Sequence, residues 1–419
     1  MAGRNALYAQ SGGVTAVINA SACGVIEAAR AQAGRIGAVY AARNGIVGVL
    51  GEDLVDTGAE TTAAIAALRH TPAGAFGSCR YKLGVGQAGQ AQYARLVDVF
   101  RAHDIGYFFY NGGGDSADTC LKVATLAESL GHPLQAIHIP KTVDNDLPHT
   151  DCCPGYGSVA KYVAVSALEA SLDLRSMAPT STKVFVLEVM GRHAGWIAAA
   201  GGLIEDHGLP VVILFPEIPF DPAAFLSRVE AAVARHGHCT VVVSEGCRDA
   251  EGRFLAEQGG RDAFGHVQLG GAAPVVARLI QQSARLKVHW AVADYLQRAA
   301  RHVASRTDVK QAYELGRRAV KLALDGRNAV MVTVERTSDS PYRYRLGSVG
   351  LADVANVERP MPRDFVRADG YGITEACRRY LRPLLRGEDY PPYGRDGLPR
   401  YATLRQRPVP RRLPPFAPG

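Results

Sequence analysis

The chain has 419 residues, 47% hydrophobic and 21% charged, an ordinary balance with enough apolar material for more than one domain. No apolar run is long enough to span a bilayer, and MAGRNALYAQSGG lacks a signal-peptide core and cleavage site, so a cytoplasmic protein without a membrane partner is expected. The formal charge is +7 with an isoelectric point of 9.0, but there is no basic helix, RNP-like stretch or zinc-finger spacing, and nucleic acid is not an expected partner.

The predicted elements alternate along the chain. NALYAQ reads as a strand, runs into Ser11-Gly12-Gly13, and gives way to the helical pattern TAVINASACGVIEAARA. IGYFFYN is another strand, followed by Gly112-Gly113-Gly114-Asp115-Ser116 and the helical ADTCLKVATLAESLG. LQAIHIP ends in the loop PKTVDND, Pro140 to Asp146, with a helix from about Ser158. TKVFVLEVM leads to Gly191-Arg192-His193, LPVVILFPE precedes the helical DPAAFLSRVEAAVARHG, and CTVVVSEG follows. From about Ala273 to Asp325 the pattern is mostly helical, AVMVTVER is a further strand, and an extended or disordered Pro- and Arg-rich tail begins near Gln406. Alternating β and α units with fully apolar strands indicate an α/β fold of mostly parallel sheets covered on both faces. The eight cysteines show no Cys-x-x-Cys pairing and are expected as reduced thiols.

In such folds ligands gather at the carboxyl ends of strands, and the unusual residues lie there. The two glycine-rich loops allow close backbone approach at a helix start, where free N–H groups attract phosphate oxygens; neither matches a Walker pattern. In PKTVDND, either Asp144 or Asp146 could take a hydroxyl proton while the other holds a metal or orients its neighbour. Lys141 could neutralise charge on a transferred phosphoryl group. Taken alone, the loop reads equally as an Asx-rich turn capping a helix. Arg192 suits bidentate contact with phosphate or sugar, and Glu245 could accept sugar hydroxyls. Arg80, Tyr295, Gln297 and Arg298 also lie beside these segments. His193 and His266 are expected to be structural or peripheral, since nothing pairs either with a nucleophile.

Taken together and in order, SGGVTAVINA, GGGDS, PKTVDNDL, EVMGR, VSEG and YLQR resemble the 6-phosphofructokinase family, specifically its pyrophosphate-dependent branch, over roughly residues 5 to 335. The resemblance implies two Rossmann-like three-layer αβα domains: residues 1–141 completed by part of 273–350, then 142–272, with a C-terminal extension over 351–419. It implies magnesium-dependent, reversible phosphoryl transfer from pyrophosphate to the 1-hydroxyl of fructose 6-phosphate. A non-catalytic subunit of the same fold and an ATP-dependent enzyme are the alternatives.

Carried over, Asp144 is the expected base, with Thr142 and Asp146 beside it. Gly13 and Arg80 contact the donor, and Met190, Gly191, Arg192, Glu245, Tyr295 and Arg298 hold the sugar phosphate. Lys183 corresponds to a cation contributed across a subunit interface, which implies a dimer or larger. ATP-using relatives have glycines at the positions of Asp115 and Lys141. Here a carboxylate would occupy the α-phosphate space and a cation would serve the compact diphosphate. Gly114 replaces a metal-associated aspartate, which leaves Asp115 and the diphosphate itself as the expected magnesium ligands. The family usually has an arginine near His289, and the segment Arg261–Gly271 occurs in some members.

Overall fold

The computed structural model describes residues 3–84, 86–255, 257–261, 267–269 and 271–416; His266 and much of Arg261–Gly271 lie outside them. The strands are β1 Arg4–Gln10, β2 Ile36–Ala42, β3 Leu54–Asp56, β4 Ile105–Gly112, β5 Gln135–Pro140, β6 Val184–Val189, β7 Val211–Leu214, β8 Cys239–Ser244, β9 Glu257–Arg261, β10 Val267–Leu269, β11 Val288–Val292, β12 Val330–Asp339 and β13 Tyr342–Gly350. They form a seven-stranded sheet in the order β13-β12-β5-β4-β1-β2-β3, a four-stranded sheet in the order β11-β6-β8-β7, and the hairpin β9–β10. The four-stranded sheet is parallel throughout, and the larger sheet is parallel except at its two edges. Buried on both faces, the inner strands carry the continuous apolar runs seen in the sequence, as in CTVVVS of β8, where every residue is buried. With their flanking helices the two larger sheets make the expected α/β architecture of two three-layer αβα units.

Three features differ from, or refine, the sequence pattern. Val288–Val292, inside the segment predicted as mostly helical, is the edge strand β11; Val288 is buried but His289, Trp290 and Val292 are exposed, so it carries no apolar run. The helices Ile18–Arg30 and Arg306–Leu324 cross so closely that a methyl at Gly24 would drive into the Tyr313 carbonyl oxygen, and one at Gly316 into that of Ser21. The Pro- and Arg-rich tail is extended and docked. It bridges the edge strand β3 at Val55–Pro408, with the Asp56 N–H donating to the Arg407 carbonyl at 2.9 Å and the Val409 N–H to the Leu54 carbonyl at 2.9 Å. Its backbone amides also reach two buried carboxylates, Arg405 and Gln406 donating to Glu60, Arg412 and Leu413 to Glu52. An otherwise open sheet edge is thereby covered. Among the described residues no helix is long and apolar enough to cross a membrane.

Candidate active site

Strand order reverses at β1, between β4 on one side and β2 on the other, so the loops after β1 and β4 diverge and leave a crevice. The loops after β5, β6 and β8 face it, and the resulting cleft has a volume of about 800 Å³. Gly13, Arg80, Asp115, Lys141, Thr142, Asp144, Asp146, Met190, Arg192, Glu245 and Arg298 line it. Gly191 stands just behind, its N–H 3.4 Å from Glu245 Oε1. Lys183 and Tyr295 do not line the cleft: the Lys183 ammonium donates to the Ala178 and Pro179 carbonyls, and Tyr295 is exposed beneath the Arg298 guanidinium, 3.8 Å from its ring centroid.

The turn after β1 is shaped by Gly12, whose φ of +74° suits glycine, and whose missing side chain leaves room for Lys141 Nζ. Lys141 follows directly on β5 and is 3% exposed, with Nζ donating to the Gly13 carbonyl at 2.6 Å. Burial pushes its ammonium down to about 8, Asp144 pulls it back up, and Arg80 and Arg298 push it further down. His138, beneath it on β5, is held neutral, pushed down to about 3 by burial and by the Lys141 charge.

The Asp144 backbone N–H donates to Thr142 Oγ1 at 3.1 Å, and the Thr142 hydroxyl donates in turn to Asp144 Oδ2 at 3.4 Å. Burial raises the Asp144 carboxyl, opposed by Lys141 and Thr142. Asp146 is pushed up to about 7 by burial, by Asp144 and by Glu358. Glu245, at the end of β8, is likewise pushed up to about 7 by burial and then by Asp144, against the Gly191 N–H. Met190 is fixed by its N–H donating to Gln297 Oε1 at 3.2 Å, and Gln297 is buried. Asp115 begins the helix Gly114–Ser129, exposed at the cleft and 3.8 Å from Lys82 Nζ. Among the described residues there is no group of three or more His, Cys, Asp and Glu side chains placed to hold a metal ion.

Sequence reasoning missed one wall. Asn356, Val357, Glu358, Arg359 and Pro360, in the C-terminal extension, also line the cleft. Asn356 Nδ2 donates to Asp118 Oδ1 at 3.1 Å, and Glu358 pairs with His193 Nδ1 at 3.0 Å. His193 is therefore part of the cleft wall, not peripheral, because its partner arrives from a segment remote in sequence. No motif marks that segment; it has no periodicity and lies outside the family pattern. The cleft thus joins buried carboxylates, a buried ammonium, four arginines and glycine turns, a set able to hold phosphorylated anions and accept a hydroxyl proton.

A family model described as Phosphofructokinase matches residues 5–323. The chain belongs to the phosphofructokinase family. It is 69% identical over 415 residues to the pyrophosphate–fructose 6-phosphate 1-phosphotransferase of Methylococcus capsulatus, covering 99% of each chain. It is 65% identical to the enzyme of that name from Halomonas elongata, covering 99% of this chain and 100% of that one. The crystal structure of a pyrophosphate-dependent phosphofructokinase from Nitrosospira multiformis superposes with a TM-score of 0.92 at 62% identity, covering 99% of this chain and 100% of that chain.

Proposed function

We propose that the chain transfers a phosphoryl group from pyrophosphate to the 1-hydroxyl of fructose 6-phosphate, giving fructose 1,6-bisphosphate and phosphate, reversibly. The observation that carries this reading is the full-length similarity to the Methylococcus enzyme joined to one local feature: a buried ammonium at Lys141, facing the glycine turn on one side and Asp144 on the other. Asp144 takes the proton of the 1-hydroxyl as the oxygen attacks the diphosphate. Lys141 stabilises charge on the transferring group, and Gly13 and Arg80 face the donor. Met190, Arg192, Glu245 and Arg298 face the sugar phosphate, and Thr142 orients Asp144.

Magnesium is the expected metal. The residues fit it, since Mg²⁺ commonly binds through one or two carboxylates plus substrate phosphate oxygens and water. Asp115 would be the protein ligand, and the bound ion would neutralise charge on the diphosphate. Asp115 and Lys141 together disfavour a nucleoside triphosphate, the first by bulk and charge, the second by favouring a compact anion.

Self-association belongs to the same reading. Lys183 lies away from its own cleft, and β11 ends its sheet with Trp290 and Val292 exposed, next to exposed Tyr295 and Leu296. A second copy covering this edge would bring a cation to a neighbouring site. Light scattering on the purified chain should give a dimer or larger, and a monomer at working concentration would remove this part.

A coupled assay of fructose 1,6-bisphosphate formation, run with magnesium and either donor, tests the function. Activity with pyrophosphate and little with ATP is expected; equal or better turnover with ATP would sink the donor assignment.

A further inference from the structure

The carboxylates Asp144 and Asp146 stand on a loop without regular structure, from Thr142 to Asp151, and such a loop leaves backbone carbonyls that no ladder satisfies. It also turns through two left-handed residues, Asn145 at φ 56° and His149 at φ 61°. Something outside the loop must hold that shape. The guanidinium of Arg359 does so from the C-terminal extension. Its Nε and Nη2 donate to the Asn145 carbonyl at 3.2 and 2.7 Å, and its Nη1 donates to the carbonyls of Thr150 and of Asp151, the latter at 3.0 Å. The Arg359 backbone N–H adds a bond to the Asp146 carbonyl at 2.6 Å. The guanidinium also lies 4.8 Å from the ring centroid of Trp196, which fixes its plane.

We propose that Arg359 is a positioning residue for phosphoryl transfer, holding the Asp144–Asp146 loop in its reactive shape through backbone carbonyls on either side of the two carboxylates. The proposal rests on the phosphoryl-transfer reading of the cleft. A planar fork with several donors is what this task requires, because one cation must satisfy carbonyls that diverge in direction. Asn145 completes the brace, its Nδ2 donating to the Tyr380 hydroxyl at 2.8 Å and its Oδ1 accepting from the Cys153 N–H at 2.9 Å. The Arg359 guanidinium bonds to backbone carbonyls and to neither carboxylate, and its charge is the smallest influence on Asp146, so it acts first on position.

The test compares full-length wild type with Arg359→Ala and Arg359→Lys, in the pyrophosphate assay and by amide exchange over residues 142–155. For R359A we expect kcat to fall about 100-fold, the scale of an ångström-sized misplacement of a reacting group. Both KM values should change less than about threefold, because Arg80, Arg192 and Arg298 sit on other elements and ground-state binding is left in place. R359K keeps the charge but not the fork, and should lose about tenfold in kcat. Exchange at the Cys153 amide should quicken in both. A kcat within about twofold of wild type, or a KM rise with kcat unchanged, would overturn the proposal. So would failure of both variants to fold, which would assign Arg359 to the fold alone. Wild type inactive with pyrophosphate would sink the functional reading instead; the variant-to-wild-type ratio with the donor that does react, and the exchange data, would still decide the role of Arg359.

Discussion

Lys141→Met is the most informative single change, because it separates the fold's interest from that of the reaction. The ammonium is 3% exposed, and burial depresses its pKa from the usual 10.5 to about 8. Between those values the unfolded chain holds a proton that the folded chain has lost, so stability rises with pH across that window. Below it the buried charge costs the fold about 3 kcal/mol. Methionine removes that cost but also the charged hydrogen bond to the Gly13 carbonyl, worth about 1.5–3 kcal/mol. K141M should therefore be as stable as wild type at pH 7, or more so by up to about 1.5 kcal/mol, in denaturant unfolding. Catalysis should move the other way, with kcat down about 10²–10³-fold for the loss of one aimed donor.

The pH profile supplies the sharper reading. In wild type, kcat/KM for pyrophosphate should fall as pH rises through about 8, where the free enzyme's Lys141 loses its proton. The alkaline limb of kcat should lie higher, because bound diphosphate favours the ammonium. In K141M the residual activity should show no limb near that pH. An unchanged alkaline limb in K141M, or a loss of more than about 3 kcal/mol of stability, would refute the placement of a depressed, functional ammonium here.

Three further outcomes are expected. Asp144→Asn should lower kcat about 10²–10⁴-fold with its unfolding transition intact, whereas Asp146→Asn should cost less than about tenfold, both read in the coupled assay. Gly12→Ala should lower kcat and destabilise by about 1–2 kcal/mol, since it combines a left-handed φ of 74° with a methyl 3.3 Å from Lys141 Nζ; a fully active G12A would mean the turn tolerates a side chain. Glu52→Gln should release the tail and cost about 3–5 kcal/mol by thermal unfolding, because Glu52 is 1% exposed and accepts from the Arg412 and Leu413 amides while lying 2.6 Å from His103 Nε2. Burial pushes Glu52 up, but the Arg412 N–H, His103 and the Leu413 N–H together hold it below its usual value, so this stabilisation is present above the glutamate range and lost as acid protonates it.

What the sequence made legible was local. Fully apolar strands ending in glycine or charged residues announce parallel sheets and their carboxyl-end loops, and the cleft walls from β1, β4, β5, β6 and β8 follow directly from that pattern. β11 was hidden because an exposed edge strand of five residues, with one buried side chain among exposed ones, has neither an apolar run nor clean alternation. The wall formed by Asn356–Pro360 was hidden for a different reason. Arg359 acts on carbonyls of residues up to 214 positions earlier, and a carbonyl is the same in every residue, so no side-chain pattern records the contact. The tail was half legible: its composition excludes a helix, but its order depends on Glu52 and Glu60, far away in sequence.

The same distinction explains the choice between the two aspartates, which spacing alone leaves open. Two carboxylates two residues apart in one buried loop cannot both ionise cheaply, so their surroundings decide which one holds the proton. After burial, which raises both, the influences nearest Asp144 all lower it: the Lys141 ammonium, the Thr142 hydroxyl, His193 and Arg192. After burial, Asp144 itself and Glu358 raise Asp146 further, against smaller lowering by its own backbone N–H and by Arg359. Both carboxyls are raised, and their neighbours bias the charge toward Asp144 and the proton toward Asp146. Glu358 comes from the extension, so this division of roles depends on a segment that the loop's own sequence does not mention. A carboxylate left ionised beside a cation can accept a proton, and its protonated neighbour avoids adding a second negative charge where a phosphorylated anion must bind. On the proposed function, the lysine that serves the donor also favours ionisation of the base, so one buried cation would act at both ends of the transfer.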